Sequence, residues 1–362
     1  MNHSFTFHRE LGSGAMGSIF EATNDNSGEK VAVKILHAHL SSDESICSRF
    51  DREARASARL EHPRCIQIES YGILDDGRRF IAMEFIDGKN LEEVLEEQGR
   101  LSPKQTIELG IQIADALEVA HDKDVIHRDL KPANILLERG DVVHPEIRVC
   151  DFGIAKILNS SKNSYQTLAG VVCGTPDYIS PEQARGLPLD GRSDLYSLGV
   201  VLYELLVGRP PFEGKNALEL MNQHIRTPPP NLRNVRKDVQ HELAAIIESL
   251  LQKKAVNRPA NATEVKVALE ALRSGTPIPE KSEKIETSNG AMPAQEFGFD
   301  ETIEQSRPSE TIITRINQDR KSREDLQRAQ EKKRELPLSV LMVGVILATC
   351  AIYAVFAIFV AP

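Results

Sequence analysis

Four polar side chains between residues 129 and 151 have the types and spacing that phosphoryl transfer requires. They are Asp129, Lys131, Asn134 and Asp151, in the stretch VIHRDLKPANILL and the later string IRVCDFG. Asp129 could accept the proton of an attacking hydroxyl, and Lys131 could neutralise charge that develops on the transferred group. Asn134 and Asp151 offer the hard oxygen ligands that Mg²⁺ prefers. The pattern predicts in-line transfer of a phosphoryl group from Mg-ATP to a hydroxyl.

The apolar runs Val125–Ile126 and 135–137 flank these residues and are predicted as short strands, which would hold the loop at both ends. The alternative is a polar surface turn that contains two acids by chance. The length of the string, H-R-D-L-x-x-x-N followed by D-F-G, disfavours that alternative. The string resembles the catalytic and metal-binding loops of eukaryotic-type (Hanks-type) serine/threonine protein kinases, and most closely those of bacterial membrane-anchored members.

The resemblance covers residues 7–273 and implies an α+β, bilobal protein kinase fold. A small antiparallel β-sheet with one helix would form one lobe, and a larger, mainly helical lobe would form the other. ATP and Mg²⁺ would be the cofactors, bound between the lobes. The resemblance also implies protein substrates with Ser or Thr acceptors, and direct transfer without a phosphorylated enzyme.

The string LGSGAMGSI contains three glycines, Gly12, Gly14 and Gly17, which allow the backbone to approach phosphates closely. The same spacing could open a dinucleotide-binding fold. The residues after Gly17 alternate like a strand instead of starting a helix, which disfavours that reading. By resemblance, the loop residues that contact the nucleotide are Leu11, Gly12, Ser13, Gly14, Ala15, Met16, Gly17, Ser18 and Ile19.

The apolar string VAVK predicts a strand that ends at Lys34, which by resemblance holds the α- and β-phosphates beside Ala32. A solvated lysine is the alternative. The following segment predicts a helix that begins with a Ser41 and Glu44 capping pair. On its inward face lie Ile46, Phe50, Glu53 and Ser57.

A carboxylate on an inward face needs a partner, so Glu53 is predicted to pair with Lys34. Asp51 is the alternative partner if the helix phase is different. Residues 79–87 predict a further strand that leads into the hinge. By resemblance Met83 is the gatekeeper, which is compatible with a core position, and Glu84 and Ile86 line the adenine edge.

Two helices are predicted to support the catalytic loop. Ser102, Pro103 and Gln105 give a start signal for the first, whose inward residues are Leu109, Ile113, Ala116, Leu117 and Ala120. The second, residues 194–208, is apolar nearly all round and is predicted to be buried. By resemblance Asp194 holds the H-R-D backbone, and Glu182 pairs with Arg258. A last helix is predicted over 265–272, ending before Gly275.

Residues 154–180 resemble an activation segment. Arg128 would be a buried cation without a partner unless an anion arrives, and a phosphorylated Ser164 or Thr167 would supply one. Autophosphorylation is therefore expected in this segment, with Thr167 as the favoured site. Thr175 together with Lys131 resembles the pattern of Ser/Thr kinases, as opposed to Tyr kinases.

The composition changes after residue 273. Residues 274–335 are rich in Pro, Ser and charged residues and predict a disordered linker, in which Thr302 and Thr311 could recruit phosphothreonine-binding partners. Ordinary low-complexity sequence is the alternative. Residues 338–360 carry no charge and would span roughly 34 Å as a helix, which predicts a single membrane-spanning segment. A buried core helix is the alternative.

The basic residues 332–334 place the kinase domain in the cytoplasm and the C-terminus at the far side of the cell membrane. Gly344 and Ala348 could bring two such helices together as a homodimer. No signal peptide is expected at residues 1–10, and no sensor domain beyond residue 362.

The formal net charge of -9 argues against a nucleic-acid partner. The five cysteines show no C-x-x-C spacing and are expected to be reduced. Cys150 is expected to be a small core residue. A reactive thiol is the alternative, because Cys150 lies directly before Asp151.

Three other functions make different predictions from a protein kinase. A pseudokinase scaffold should lack Lys34, Asp129, Asn134 or Asp151, and all four are present. A small-molecule phosphotransferase should lack the G-T…S-P-E segment, which is also present. A membrane adaptor that acts through the linker is compatible with kinase activity.

Overall fold

The computed structural model describes residues 4–152 and 176–277, apart from the side chain of Glu53. The predictions for Ser164, Thr167 and Thr175, for nearly all of the linker and for residues 338–360 lie outside this part of the chain. Of the helices within it, none is both long enough and apolar enough to cross a membrane.

The described residues form a smaller, sheet-containing lobe followed by a larger, mainly helical lobe. The strands are β1 Phe5–Ser13, β2 Gly17–Asn24, β3 Lys30–Leu36, β4 Ile68–Ile73, β5 Arg79–Glu84, β6 Gly88–Asn90, β7 Ile135–Glu138 and β8 Ile147–Val149. The helices are α1 Glu44–Ser57, α2 Leu91–Gln98, α3 Pro103–Asp122, α4 Pro181–Ala184, α5 Arg192–Val207, α6 Ala217–Arg226, α7 Leu232–Val235, α8 His241–Leu250 and α9 Ala262–Ser274.

The smaller lobe is an antiparallel sheet of five strands in the order β1-β2-β3-β5-β4. Because successive strand residues point to opposite faces, the sheet has two apolar sides. One side carries Val33 and Ile35, packed with Phe80. The other side carries Leu36 and Met83 and packs against α1.

Helix α1 buries the face that the sequence predicts. Ile46, Phe50 and Ser57 are all at most 9% exposed. The predicted start is wrong, because the N-cap is Asp43 and not Ser41. The Asp43 carboxylate accepts hydrogen bonds from the backbone N–H groups of Ser45 and Ile46, so the helix begins after it.

The larger lobe is built around α3 and α5. Helix α3 begins with the predicted Ser102 and Gln105 capping box, and its five predicted inward residues are fully buried. Helix α5 is buried on nearly every side and ends at Gly208, whose φ of 84° is left-handed. Helix α9 is longer than predicted and ends at Gly275 as expected.

Strands β6, β7 and β8 form a separate antiparallel sheet that supports the catalytic loop. The predicted strand at 135–137 is present as β7, but Val125 and Ile126 are not in a strand. The N–H of Val125 instead bonds back to the carbonyl of Ala120, and the N–H groups of His127 and Arg128 donate to a side chain of α5. The loop is therefore held by a helix end on one side and a strand on the other.

Candidate active site

The sheet lobe delivers Lys34 to the acid that follows β8. Lys34 lies on β3, and its Nζ lies 2.7 Å from Oδ1 of Asp151 in an ion pair that is largely shielded from water. Burial alone would raise the pKa of Asp151, but Lys34, with smaller contributions from His127 and Lys131, outweighs burial and holds the pKa below its usual range. Asp151 is therefore ionised and able to bind a cation.

The Lys34–Asp151 pair differs from the pairing that the sequence predicts. The side chain of Glu53 lies outside the described residues, so the Lys34–Glu53 pair stays a prediction. The alternative partner, Asp51, accepts a hydrogen bond from Nε of Arg79 at 3.3 Å and contributes to the lobe surface instead.

The two predicted metal ligands are neighbours because β7 and β8 pair. Ile135 lies opposite Val149 in the register, and the N–H of Cys150 donates to the carbonyl of Asn134 at 3.0 Å. Asn134 and Asp151 therefore sit at adjoining ends of two paired strands. The Asn134 amide nitrogen donates to the backbone oxygen of Asp129 at 2.8 Å, which leaves the amide oxygen as an acceptor.

One amide oxygen and one carboxylate suit a magnesium ion that completes its octahedral shell with phosphate oxygens and water. The donor types and their fixed positions thus fit Mg²⁺ bound together with a phosphorylated ligand. A magnesium site with protein ligands alone would need more carboxylates than the single one that Asp151 supplies.

Asp129 is the accessible member of the set. Its side chain is 41% exposed, and Oδ2 lies 3.0 Å from Nζ of Lys131. Burial alone would lower the pKa of Lys131, but the charges of Asp129 and then Asp151 outweigh it and the pKa is raised. A cation thus stands between two carboxylates, where a transferred phosphoryl group would carry negative charge.

Asp194 fixes the backbone just before Asp129. Its buried carboxylate accepts from the N–H groups of His127 and Arg128, each at 2.8 Å, and also contacts Nε2 of His121 at 2.8 Å. This is the structural role that the sequence predicts for Asp194. Arg128 has a left-handed φ of 67°, as has Asp151 at 61°, so both residues hold conformations that side chains rarely adopt.

Arg128 is half-buried and held in place by its backbone. Its carbonyl accepts a hydrogen bond from the side chain of Gln183 at 2.7 Å, a link to α4 that sequence reasoning missed. Among the described residues, Nε of Arg128 has no hydrogen-bond partner although it is buried. An unpaired guanidinium donor in that position is suited to an anion.

Helix α4 is tied to the larger lobe by the predicted pair of Glu182 and Arg258. The arginine donates to both carboxylate oxygens, at 2.7 and 2.9 Å, and its side chain is fully buried. Burial alone would raise the pKa of Glu182, but the hydrogen bond from Arg258 outweighs it and the pKa is lowered. Both members of the pair are ionised, and the pair fixes α4 near the start of the second described range.

The glycines of the loop between β1 and β2 are not equivalent. A Cβ on Gly17 would lie 2.1 Å from the carbonyl oxygen of Ile35, so β3 excludes any side chain there. A Cβ on Gly12 would have no described atom within 4 Å. Gly17 is needed for sheet packing, whereas the space at Gly12 remains open to a ligand.

The predicted adenine site has an apolar lining. Met83 is 7% exposed and lies opposite Ala32 in the β3–β5 register, and it belongs to a buried cluster against which Ala32 and Ile86 pack. Leu136 packs against the same cluster, and sequence reasoning missed it. The alternation of β7 could have indicated Leu136, because it points away from the buried Ile135.

Glu84 and Cys150 have structural contacts. The Glu84 carboxylate accepts from the backbone N–H of Gln67 at 2.8 Å, so it braces the hinge. Burial raises the pKa of the Cys150 thiol, and its Sγ lies 3.3 Å from the carbonyl of Asn134. A thiol that stays protonated is not reactive, in line with the expected role as a small packing residue.

Comparison with known proteins shows which family has this arrangement. Residues 5–269 match the protein kinase domain family. The chain belongs to that family. It is 41% identical over 265 residues to the serine/threonine-protein kinase pkn3 of Myxococcus xanthus, and 38% identical over 272 residues to the serine/threonine-protein kinase PknB of Mycobacterium tuberculosis. These alignments cover 72% and 74% of this chain.

Among solved structures, the Mycobacterium tuberculosis PknI kinase domain superposes with a TM-score of 0.58 at 27% identity, covering 75% of this chain and 97% of that one. The match to the curated relatives covers less of their length, 48% of pkn3 and 42% of PknB. The kinase domain is thus the shared part, and the chain spans less than half of those relatives.

Proposed function

We propose that this protein is an ATP-dependent serine/threonine protein kinase. The observation that carries the proposal is the convergence of Lys34 and Asp151 at 2.7 Å with Asn134 and Asp129 beside them. These are the groups that phosphate binding, magnesium binding and activation of a hydroxyl require. The named serine/threonine kinases among the relatives support a protein hydroxyl as the acceptor.

In the proposed reaction the hydroxyl oxygen attacks the γ-phosphorus while the bond to the departing ADP breaks. Asp129 accepts the hydroxyl proton, and Lys131 stabilises the charge on the transferred group. Lys34 holds the α- and β-phosphates, and Asn134 and Asp151 bind magnesium. Bound magnesium would neutralise phosphate charge as the bond to ADP breaks.

Activity is proposed to depend on phosphorylation near Arg128. Within the described ranges, the buried Nε of Arg128 has no hydrogen-bond partner, and this supports the regulation because a phosphate on Ser164 or Thr167 would give it an anionic partner. Autophosphorylation would supply that phosphate. Thr175 is proposed to assist Lys131 at the acceptor site.

We further propose that residues 338–360 anchor the chain in the cell membrane as a single helix, with the kinase domain in the cytoplasm. Their lack of charge and the basic residues 332–334 support this orientation. Thr302 and Thr311 are proposed as docking sites for phosphothreonine-binding partners, and Gly344 with Ala348 as a contact between two copies.

The test uses the full chain in detergent micelles with Mg-ATP labelled on the γ-phosphate and casein as the protein acceptor. We expect label on serine and threonine, and a loss of at least about 100-fold in the Asp129→Asn variant, which keeps the shape but cannot accept the proton. Mapping the labelled residues of the kinase itself would report on Thr167, Ser164, Thr302 and Thr311 together.

The matched control is Asp122→Asn at the exposed end of α3, which should leave the rate within about twofold. Equal labelling by wild type and Asp129→Asn would contradict the proposed role of Asp129. Absence of label in the wild-type reaction would contradict the kinase function as a whole.

A further inference from the structure

The residue that follows β3, His37, contacts the tip of the glycine loop. Its ring Nε2 lies 2.9 Å from the carbonyl oxygen of Gly14. A carbonyl oxygen only accepts hydrogen bonds, so Nε2 carries the proton and donates. The backbone N–H of the same histidine donates to the carbonyl of Met16 at 2.9 Å. One residue therefore binds the loop at two points.

The position of His37 is itself fixed from the other side. Its carbonyl accepts from the N–H groups of Leu40 and Ser41 at 3.0 and 3.1 Å and from the Ser41 hydroxyl at 3.1 Å. These contacts belong to the turn that leads into α1. The backbone that carries the ring is thus constrained by three hydrogen bonds.

The ring lies on the outer side of the loop. Lys34 and Leu36 point from β3 toward the cleft side, whereas Ile35 belongs to the cluster on the opposite face. Because the ladder continues through the His37–Met16 bond, strand alternation places His37 on the face of Ile35. Met16 packs from the cleft side against the cluster that contains Leu36.

The contact to Gly14 orients the next peptide group. In a trans peptide the carbonyl and the N–H point in opposite directions. With the Gly14 oxygen turned outward to His37, the N–H of Ala15 is turned toward the cleft. A backbone N–H directed at the cleft from a glycine-rich loop is a donor for a phosphate oxygen.

We propose that His37 is a positioning residue for the nucleotide phosphates, because its hydrogen bond to Gly14 directs the Ala15 N–H into the cleft. This inference rests on the proposed function, since it requires ATP in that cleft. His37 touches neither the acceptor hydroxyl nor the groups around Asp129. Its loss should weaken phosphate binding and leave the turnover rate of the bound complex unchanged.

The experiment measures binding of Mg-ATP and of adenosine to the full chain by calorimetry, together with KM for ATP and kcat. We expect His37→Ala to weaken Mg-ATP binding and raise KM about fivefold, the effect of one partly exposed hydrogen bond. Adenosine has no phosphate, so its affinity and kcat should not change. His37→Gln places an amide donor near the position of Nε2 and should restore Mg-ATP affinity.

The control is His8→Ala, an exposed histidine of the sheet lobe that contacts Thr23 and not the loop. Unchanged Mg-ATP affinity in His37→Ala would overturn the inference. An equal loss of adenosine affinity would also overturn it by showing a general loss of fold. No recovery in His37→Gln would overturn it by showing that the donor at Nε2 is not the cause. If wild-type protein binds no Mg-ATP, the proposed function itself fails, which is a distinct result.

Discussion

The catalytic loop around Asp129 and the glycine loop between β1 and β2 serve the same proposed reaction but are held very differently. The backbone before Asp129 is bonded to the carboxylate of Asp194, which is 1% exposed. Strand β1, which leads into the glycine loop, has eight of its nine residues exposed. The catalytic loop is thus fixed by buried polar contacts. The glycine loop, whose backbone is proposed to bind phosphates, is held by a few contacts at the lobe surface.

The difference follows from what each loop has to do. Groups that move a proton or bind a metal must be placed to within fractions of an ångström, and buried hydrogen bonds provide that precision. A loop that binds phosphates must admit and release a large ligand, so its contacts must be weak enough to change. Substitutions should therefore affect stability most in the larger lobe and least at the glycine loop.

The largest effect on stability should come from the anchor of α4. Arg258→Ala leaves Glu182 as a buried charge without its bidentate partner, and should lower the free energy of unfolding by about 3–5 kcal/mol. Denaturant unfolding of the full chain measures this. Arg209→Ala, which removes an exposed pair with Glu213, is the control and should cost less than about 0.5 kcal/mol.

An Arg258→Met and Glu182→Leu double variant sharpens this prediction. It removes both charges and should lose much less stability than Arg258→Ala. Equal losses in the two would mean that packing of the arginine, and not the charge left behind, dominates the anchor.

A smaller effect is expected at the one glycine-loop position that is packed. Gly17→Ala forces a Cβ against the carbonyl of Ile35, so β2 must move away from β3 at a cost of about 2 kcal/mol. Gly12→Ala meets no described atom and should change the free energy of unfolding by less than about 0.5 kcal/mol. Thermal unfolding of both variants tests the contrast, and equal melting temperatures would break it.

The smallest effect concerns the free-energy cost of burying the positive charge of Lys253. Burial, together with the positive charges of Arg258 and Arg185, lowers the pKa of Lys253 to about 7 from its ordinary value of 10.5. Below pH 7 both the folded and unfolded states bind this proton, and the cost of burying the charge is full. Between pH 7 and 10.5 the unfolded state binds more protons, so stability rises with pH.

Lys253→Met should therefore be more stable than wild type at pH 6, by about 1 kcal/mol, and this advantage should shrink toward pH 10. The gain is limited because the Phe212 ring, 4.3 Å from Nζ, favours the charged lysine. The control is Lys254→Met at the neighbouring position, which removes a lysine charge that is exposed to solvent. A difference for Lys253→Met that is constant with pH would show that its charge is not penalised.

The sequence predicted best what depends on short-range pattern. The α3 capping box, the buried face of α1 and the strand after Gly17 all follow from residue spacing within one element. The long-range contacts of Asp194 and of Glu182 with Arg258 were available only through the family resemblance. Nothing in local spacing brings residues 76 positions apart together.

The misses have physical causes. The pairing of Lys34 with Asp151 depends on the distance between β3 and the end of β8, which no local pattern reports, while the pairing with Glu53 stays a prediction. Ser41 and Asp43 are both favourable N-cap residues for α1. The helix begins after Asp43 because the turn that follows His37 ends there. The contact of His37 with Gly14 joins two loops 23 residues apart, so it was invisible in the chain order.

The left-handed backbones of Arg128 and Asp151 set a limit on protein engineering. Each holds a conformation that glycine would adopt freely, at a strain of about 1 kcal/mol or more. A screen that rewards thermostability alone would therefore favour glycine at Arg128 and discard the guanidinium, whereas Asp151 is also retained by its ion pair with Lys34, whose loss would leave a buried cation unpaired. Selection for this protein should include a functional readout, because at Arg128 the residue that folds best is not the residue that serves the proposed regulation.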